Sequence, residues 1–392
     1  MGHRPTTAAV ALATALAAGC APAGMPAGIT ADPVDSRAVP AGGWRELAGS
    51  PLAPRQAGAA LWTGHEVLII GGTDQVCPPN ALCTVDQTPL PDAAAVDPAT
   101  GRWRRISDPP VPVLDAQGVV VGQTAYLRLS PVDRAVRGEL LTYPIGPDRW
   151  EWLPTPVADI GEYELAAAGD GLVLFRSSGM ATPGGDHLFD PASGRWQALP
   201  PGPLDAALYR SAVWTGRGLV LFGYLEEPDS QPDRPSVVSA AALDLSTGRW
   251  RRLPDSEILH PRPWLAAGGR LVNPLLGGSD GGDSWGRTYP YGGILDPATG
   301  QWSPLPEPPA GQGPAAGAYS ATGAVYVGSS GAVLDTTAGT WGVVPADPDG
   351  DIAGRSLVAA GTDLLIFGGV DWSADATYGA LLASAWVWTP LG

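Results

Sequence analysis

Lysine is missing from this chain: all 23 of its basic residues are arginine. No amine is available for a Schiff base, and no lysine for the phosphate grip of a P-loop. Positive charge is scarce altogether, because 39 acidic residues leave a formal net charge of −16. A nucleic-acid partner is disfavoured on that ground, since neutralising phosphates needs an excess of cationic side chains. Cations and basic surfaces are permitted. There are only 4 histidines and 3 cysteines. Beyond the N-terminal segment the histidines are His65, His187 and His260, which lack metal-ligand spacing. A G-x-S-x-G nucleophile elbow is also lacking. No apolar run after Cys20 is long enough for a membrane-spanning helix.

Glycine (53), proline (42) and tryptophan (15) are abundant instead. So much Gly and Pro would suggest low complexity, but a 44% hydrophobic share can bury a core. The Gly and Pro fall between short apolar runs, where turns need them. Six times a tight turn leads into a tryptophan that opens a strand. The copies are DPATGRW (97–103), PIGPDRW (144–150), DPASGRW (190–196), DLSTGRW (244–250), DPATGQW (296–302) and DTTAGTW (335–341). Trp44 has the strand without the turn. The tryptophans at 44, 103, 150, 196, 250, 302 and 341 recur about every 50 residues, the spacing of a repeat architecture.

Each interval repeats one order of parts. A Pro-rich loop leads to an apolar strand, a short Gly turn and a second strand, as in 57–72, 211–223 and 356–369. A variable loop, a third strand such as 93–98, the tight turn and the Trp strand follow. Over residues 43–391 the chain resembles the kelch-repeat, galactose-oxidase-like β-propellers. The likeness lies in this strand order, in the double glycines Gly71-Gly72, Gly277-Gly278 and Gly368-Gly369, and in the later Trp. The tyrosine of the kelch pattern survives well only at Tyr143, so the copies are divergent.

The resemblance implies an all-β fold, a seven-bladed β-propeller of four-stranded antiparallel blades. The N-terminal strand at Trp44 pairs with the C-terminal blade at 355–389, so no edge is left open. Six or eight blades with a degenerate unit are the alternative. Some kelch propellers are copper radical oxidases built on a Cys–Tyr crosslink and histidines. The crowding of Cys77 and Cys83 into one loop speaks against that chemistry here. Others are sugar epimerases that use charged channel residues, a reading left open.

The first 19 residues read as an export signal: Arg4, then a 14-residue apolar stretch (6–19) ending in LAAGC. This resembles the lipobox of bacterial lipoproteins, with Ala17 where leucine is typical, and implies a lipid on Cys20. Ordinary signal cleavage is the alternative. Residues 20–42 read as a flexible tether and 43–392 as the propeller domain. Cys77 and Cys83, in CPPNALC, are then expected to form a disulfide in an oxidising compartment. The wealth of Arg, Ala, Gly and Pro suggests a GC-rich genome. With the lipobox it suggests a high-GC Gram-positive bacterium and anchoring at the outer face of the cytoplasmic membrane.

In such a blade the first-to-second and third-to-fourth turns share one end, and the long second-to-third and blade-to-blade loops share the other. The long second-to-third loops (73–92, 130–139, 177–186, 225–238, 278–292 and 370–384) and the blade-to-blade loops together carry most of the acidic residues, and this end is the expected working face. Arg55, Arg210, Arg262 and Arg355 open innermost strands at that end, with Glu162 in the equivalent place of the third unit. Such a ring either binds a carboxylate or other anion, or pairs with loop carboxylates to fasten blades. Trp264, Trp285, Tyr289 and Trp372 either stack on a sugar or protein partner or pack the loops. Asp347, Asp349 and Asp351 alternate as calcium ligands do, but the twelfth position, Val358, is no ligand, so a solvated acidic turn is the alternative. No cofactor is required by any motif. The expectation is therefore a monomeric, lipid-anchored binding or scaffold module for a protein or glycan. Its rivals are an epimerase- or isomerase-like enzyme for an anionic small molecule, and a structural role with no ligand.

Overall fold

The computed structural model describes residues 42–76, 87–130, 138–177, 185–224, 238–254, 264–274, 293–306, 332–350, 352–373 and 379–390, and the backbone of 318–321 and 324–327. Among these residues there is no helix, and the fold is all-β and propeller-like. Seven four-stranded antiparallel sheets are found among them. Sheet 1 contains Ala59–Trp62, Val67–Ile70, Ala93–Val96 and Trp103–Arg105. Sheet 2 contains Gln117–Val121, Thr124–Arg128, Glu139–Pro144 and Glu151–Pro154. Sheet 3 contains Tyr163–Ala168, Gly171–Arg176, His187–Asp190 and Arg195–Ala198. Sheet 4 contains Leu208–Trp214, Leu219–Tyr224, Val238–Asp244 and Arg249–Arg252. Sheet 5 contains Leu265–Ala267, Arg270–Asn273, Gly293–Leu295 and Trp302–Pro304. Sheet 6 contains Ala318–Ala321, Ala324–Val327, Ala332–Asp335 and Thr340–Val343. Sheet 7 is discontinuous in sequence. Ser356–Ala360, Asp363–Phe367 and Ala385–Trp388 are completed by Trp44–Glu46, in the register Trp44 to Trp388.

The inner strands are apolar in an unbroken run because both of their faces are covered. In Val67–Ile70, Val67 and Ile69 pack toward sheet 7, whereas Leu68 and Ile70 pack toward sheet 2. Side chains alternate along a strand, so one run feeds two cores. Among the described residues seven such clusters occur, each between two sheets: 1 with 2, 2 with 3, 3 with 4, 4 with 5, 5 with 6, 6 with 7, and 7 with 1. The first strands of the sheets touch in the same succession.

The repeated turn and tryptophan have separable jobs. Asp97, Asp190, Asp244, Asp296 and Asp335 each accept a hydrogen bond at Oδ1 from the amide two residues on. The carbonyl of each accepts the amide of the turn glycine, Gly101, Gly194, Gly248, Gly300 or Gly339. Those glycines all have positive φ, between 66° and 77°, which is why a glycine stands there. The indole N–H of each repeated tryptophan reaches back to the backbone at or just after the end of the preceding sheet's outer strand. Trp103 donates to the Leu47 carbonyl (2.9 Å), Trp150 to Ser107 (2.7 Å), Trp196 to Pro154 (3.0 Å) and Trp250 to Pro200 (2.8 Å). Trp302 donates to Pro254 (2.6 Å), Trp341 to Pro306 (2.9 Å) and Trp44 to Pro345 (2.9 Å).

One element differs from the sequence reading. Part of the segment read as a long loop at 370–384 is strand: Val370–Asp371 pairs with Ile352–Ala353 and with Ala380–Leu381 in a small three-stranded sheet. The buried Val370 anchors it, an apolar signal too short for a periodicity argument.

Candidate functional site

Three of the four expected arginines lie among the described residues, and each is engaged with carboxylates. Arg55 is 1% exposed; its Nη1 and Nη2 donate to the two oxygens of Asp92 at 2.6 and 3.0 Å. Its Nη1 and Nε also reach the carbonyls of Gly71 and Ala53. Arg210, equally buried, grips Asp186 at 2.9 and 2.5 Å and the Arg176 carbonyl at 3.3 Å. Arg355 contacts Asp347 and Asp349 and donates to the Gly368 carbonyl at 2.7 Å. In all three the guanidinium ties a long loop to the end of a second strand. The geometry is that of the fastening alternative, and their donors are not presented to an incoming anion. Burial by itself would raise the Asp92 carboxyl, but its hydrogen bond and charge contact with Arg55 outweigh burial and hold it below the usual value. Asp349 is likewise held low, against burial, by Ser384, Arg355 and Trp386.

Arg262 lies outside the described residues. Glu162 is exposed, and its carbonyl accepts the Ser177 amide at 2.7 Å. Arg128 ends a second strand instead of opening a first, so it falls outside the arginine pattern of the sequence. Its Nε is buried without a hydrogen-bond partner, and it makes no ion pair among the described residues. Burial lowers its pKa, and the charge of Glu164 opposes that shift. Gln117, opposite Arg128 in the register, bridges to the next sheet, accepting the Leu165 amide at 2.9 Å.

The aromatic candidates divide. Trp264 is a core residue: it is 4% exposed, stacked on Phe222 at 4.2 Å and edge-on to Trp302 at 5.4 Å. Trp372 is half-buried against Gly379, where an added Cβ would meet its ring at 3.0 Å. Trp285 and Tyr289 lie outside the described residues. Asp347 and Asp349 already serve Arg355, so a calcium ion there would have to displace a guanidinium. Asp351, Cys20, Cys77 and Cys83 lie outside the described residues. Among the described residues no group of three metal-ligating side chains occurs.

A cavity lies at the other end of the inner strands, where the sequence reading placed only short turns. It measures about 400 Å³ and is bounded by the first-to-second turns of sheets 1, 4, 5 and 7. Trp62 and Trp214 end first strands there; Gly268-Gly269 forms a hairpin with φ of 56° and 76°, and Arg270 follows it. Sheets 1 and 4 share no core cluster, so the cavity does not lie in a seam between two packed sheets. A signal is present in the sequence, the repeated WTG at 62–64 and 214–216, but as a short Gly turn it carries no mark of a site.

No protein-family model matches the chain, and no curated protein matches it.

Proposed function

We propose that residues 43–392 form a seven-bladed, kelch-like propeller that serves as a binding or scaffold module at the outer face of the cytoplasmic membrane, held there by a lipid on Cys20. The closed ring is supported by the unbroken succession of seven core clusters and seven Trp-to-carbonyl bonds, with Trp44 joining the first strand to the last sheet. The partner, a protein or glycan, docks on the long-loop end.

One observation carries the choice of a module over an enzyme. The buried arginines at that end are engaged in ion pairs that stiffen the loops, which builds a platform and not an open reaction centre. The competing reading, an epimerase- or isomerase-like enzyme for an anionic small molecule, has one observation in its favour, the unpaired Arg128. It would need Arg128→Gln to abolish a measurable turnover.

Two experiments test the proposal. Cys20→Ser should move the protein from the membrane fraction to the soluble exported fraction; an unchanged distribution would remove the lipid anchor from it. A photo-crosslinking residue placed at Asp74 or Ser373, on the long-loop end, should give one discrete adduct in cells. The same probe at Ala99 or Ala192, on the short-turn end, should not. Equal labelling from both ends, or none from either, would sink the docking reading.

A further inference from the structure

The cavity at the short-turn end stands apart from the long-loop reading, and the chemistry of its wall is one-sided. Two half-buried indoles, Trp62 and Trp214, reach it from sheets 1 and 4. Every repeated tryptophan of the outer strands donates its N–H to a backbone carbonyl, whereas these two make no hydrogen bond among the described residues. The third polar group is Arg270, exposed at the mouth; it makes no hydrogen bond or ion pair among the described residues, and its charge reaches only as far as a weak pull on Asp296. The wall hydroxyl, Thr215, is already engaged by its own turn, its Oγ lying 3.0 Å from the Gly218 carbonyl and 3.1 Å from the Gly218 amide. Thus, among the described residues, the unfilled side-chain capacity at this site is donors only, two indole N–H groups and one guanidinium, in a chain whose net charge is −16. Ala266, Ala267, Ala359 and the glycine turns supply the remainder of the wall among the described residues.

We propose that this cavity binds a small carboxylate that carries a flat ring face. The donors take the carboxylate, with Arg270 presenting the planar fork that matches it. The indoles take the ring by stacking. A volume of about 400 Å³ is at the lower end of small-ligand sites and suits one or two rings. The ring can be a sugar acid or an aromatic acid, because both present an apolar face and one negative charge.

Titration calorimetry on the full chain tests this with galacturonate and digalacturonate in one arm and 4-hydroxybenzoate and indole-3-acetate in the other. Galactose and 4-hydroxybenzyl alcohol are the neutral counterparts. One acid family should bind, and its neutral counterpart should bind at least about tenfold more weakly, the factor expected for a hydrogen bond to a charged group. Arg270→Gln, at an exposed position, should lose the same factor with an unchanged unfolding midpoint. Trp214→Phe, which keeps a ring and removes the donor, should weaken binding less than Trp214→Ala. Arg128→Gln, at the opposite end, should leave binding alone. The proposal is overturned if no acid of either arm binds, if acid and neutral compounds bind alike, or if Arg128→Gln abolishes binding while Arg270→Gln does not.

Discussion

Asp186 and Arg210 are each nearly without exposure, at 5% and 1% of their side chains, and form a 2.5 Å ion pair between sheets 3 and 4. Desolvation makes such a pair a modest net gain, but removing one member strands the other charge in the interior. Asp186→Asn should therefore cost about 3–5 kcal/mol, read as a lower urea midpoint. Glu66→Gln, which breaks the partly exposed pair with Arg104, should cost less than about 1 kcal/mol in the same assay. Acid should act through the same groups. The folded carboxyls of Asp92 and Asp349 lie below their unfolded values, so their contribution is full above about pH 4, the ordinary carboxylate range. That contribution is lost as pH falls through the lower folded values. The melting temperature should hold steady from pH 7 to 5 and drop below about pH 4, less steeply in Asp92→Asn. A flat profile in the parent protein would remove these carboxylates from the stability argument. The presence of arginine at these positions was legible in the sequence; their partners were not, because Arg55 to Asp92 spans 37 residues and Arg210 pairs across to another sheet.

At the level of the element, the strand-turn-strand order was legible almost throughout. Turn chemistry is local, and apolar runs covered on both faces are hard to mistake. The double glycines show a requirement that is not local. A Cβ on Gly72 would sit 2.5 Å from the Gln56 carbonyl, and one on Gly71 would sit 2.0 Å from that of Val113, where the next sheet's leading loop crosses. Gly64, in a first-to-second turn, has φ of 93° but open space around it. Gly64→Ala should cost about 1–2 kcal/mol, the penalty of a left-handed backbone alone. Gly72→Ala should cost clearly more, because backbone must move as well. Equal losses in chemical denaturation would mean that the loop crossing yields readily. The tryptophan period was visible too, but not what each indole does: its acceptor is a carbonyl, a group every residue carries.

At the level of the whole molecule, the strand Trp44–Glu46 brings the start of the described chain into the sheet formed by its end. It covers Trp388, which is fully buried and donates its indole N–H to the Gly42 carbonyl at 3.0 Å. Deleting residues 42–47 strips the edge of Ala385–Trp388 and removes the Trp44–Pro345 bond. An unpaired apolar edge invites association with another chain. The truncated protein should unfold at lower denaturant and form concentration-dependent oligomers in light scattering. A monomer of unchanged stability would show that the seventh sheet does not need its outer strand.

Taken alone, the sequence determined the all-β class, the four-strand unit, the turns and the repeat of the tryptophans. Those properties follow from short-range chemistry: alternation, left-handed glycines and aspartate-capped turns. Tertiary structure decided what the charged and aromatic side chains do. It set Arg55, Arg210 and Arg355 against carboxylates, buried Trp264 on Phe222, and left Trp62, Trp214 and Arg270 around an open cavity at the end where only short turns were expected. The physical reason is distance along the chain. A side chain becomes a fastener, a core residue or a site according to what sheets dozens of residues away bring beside it.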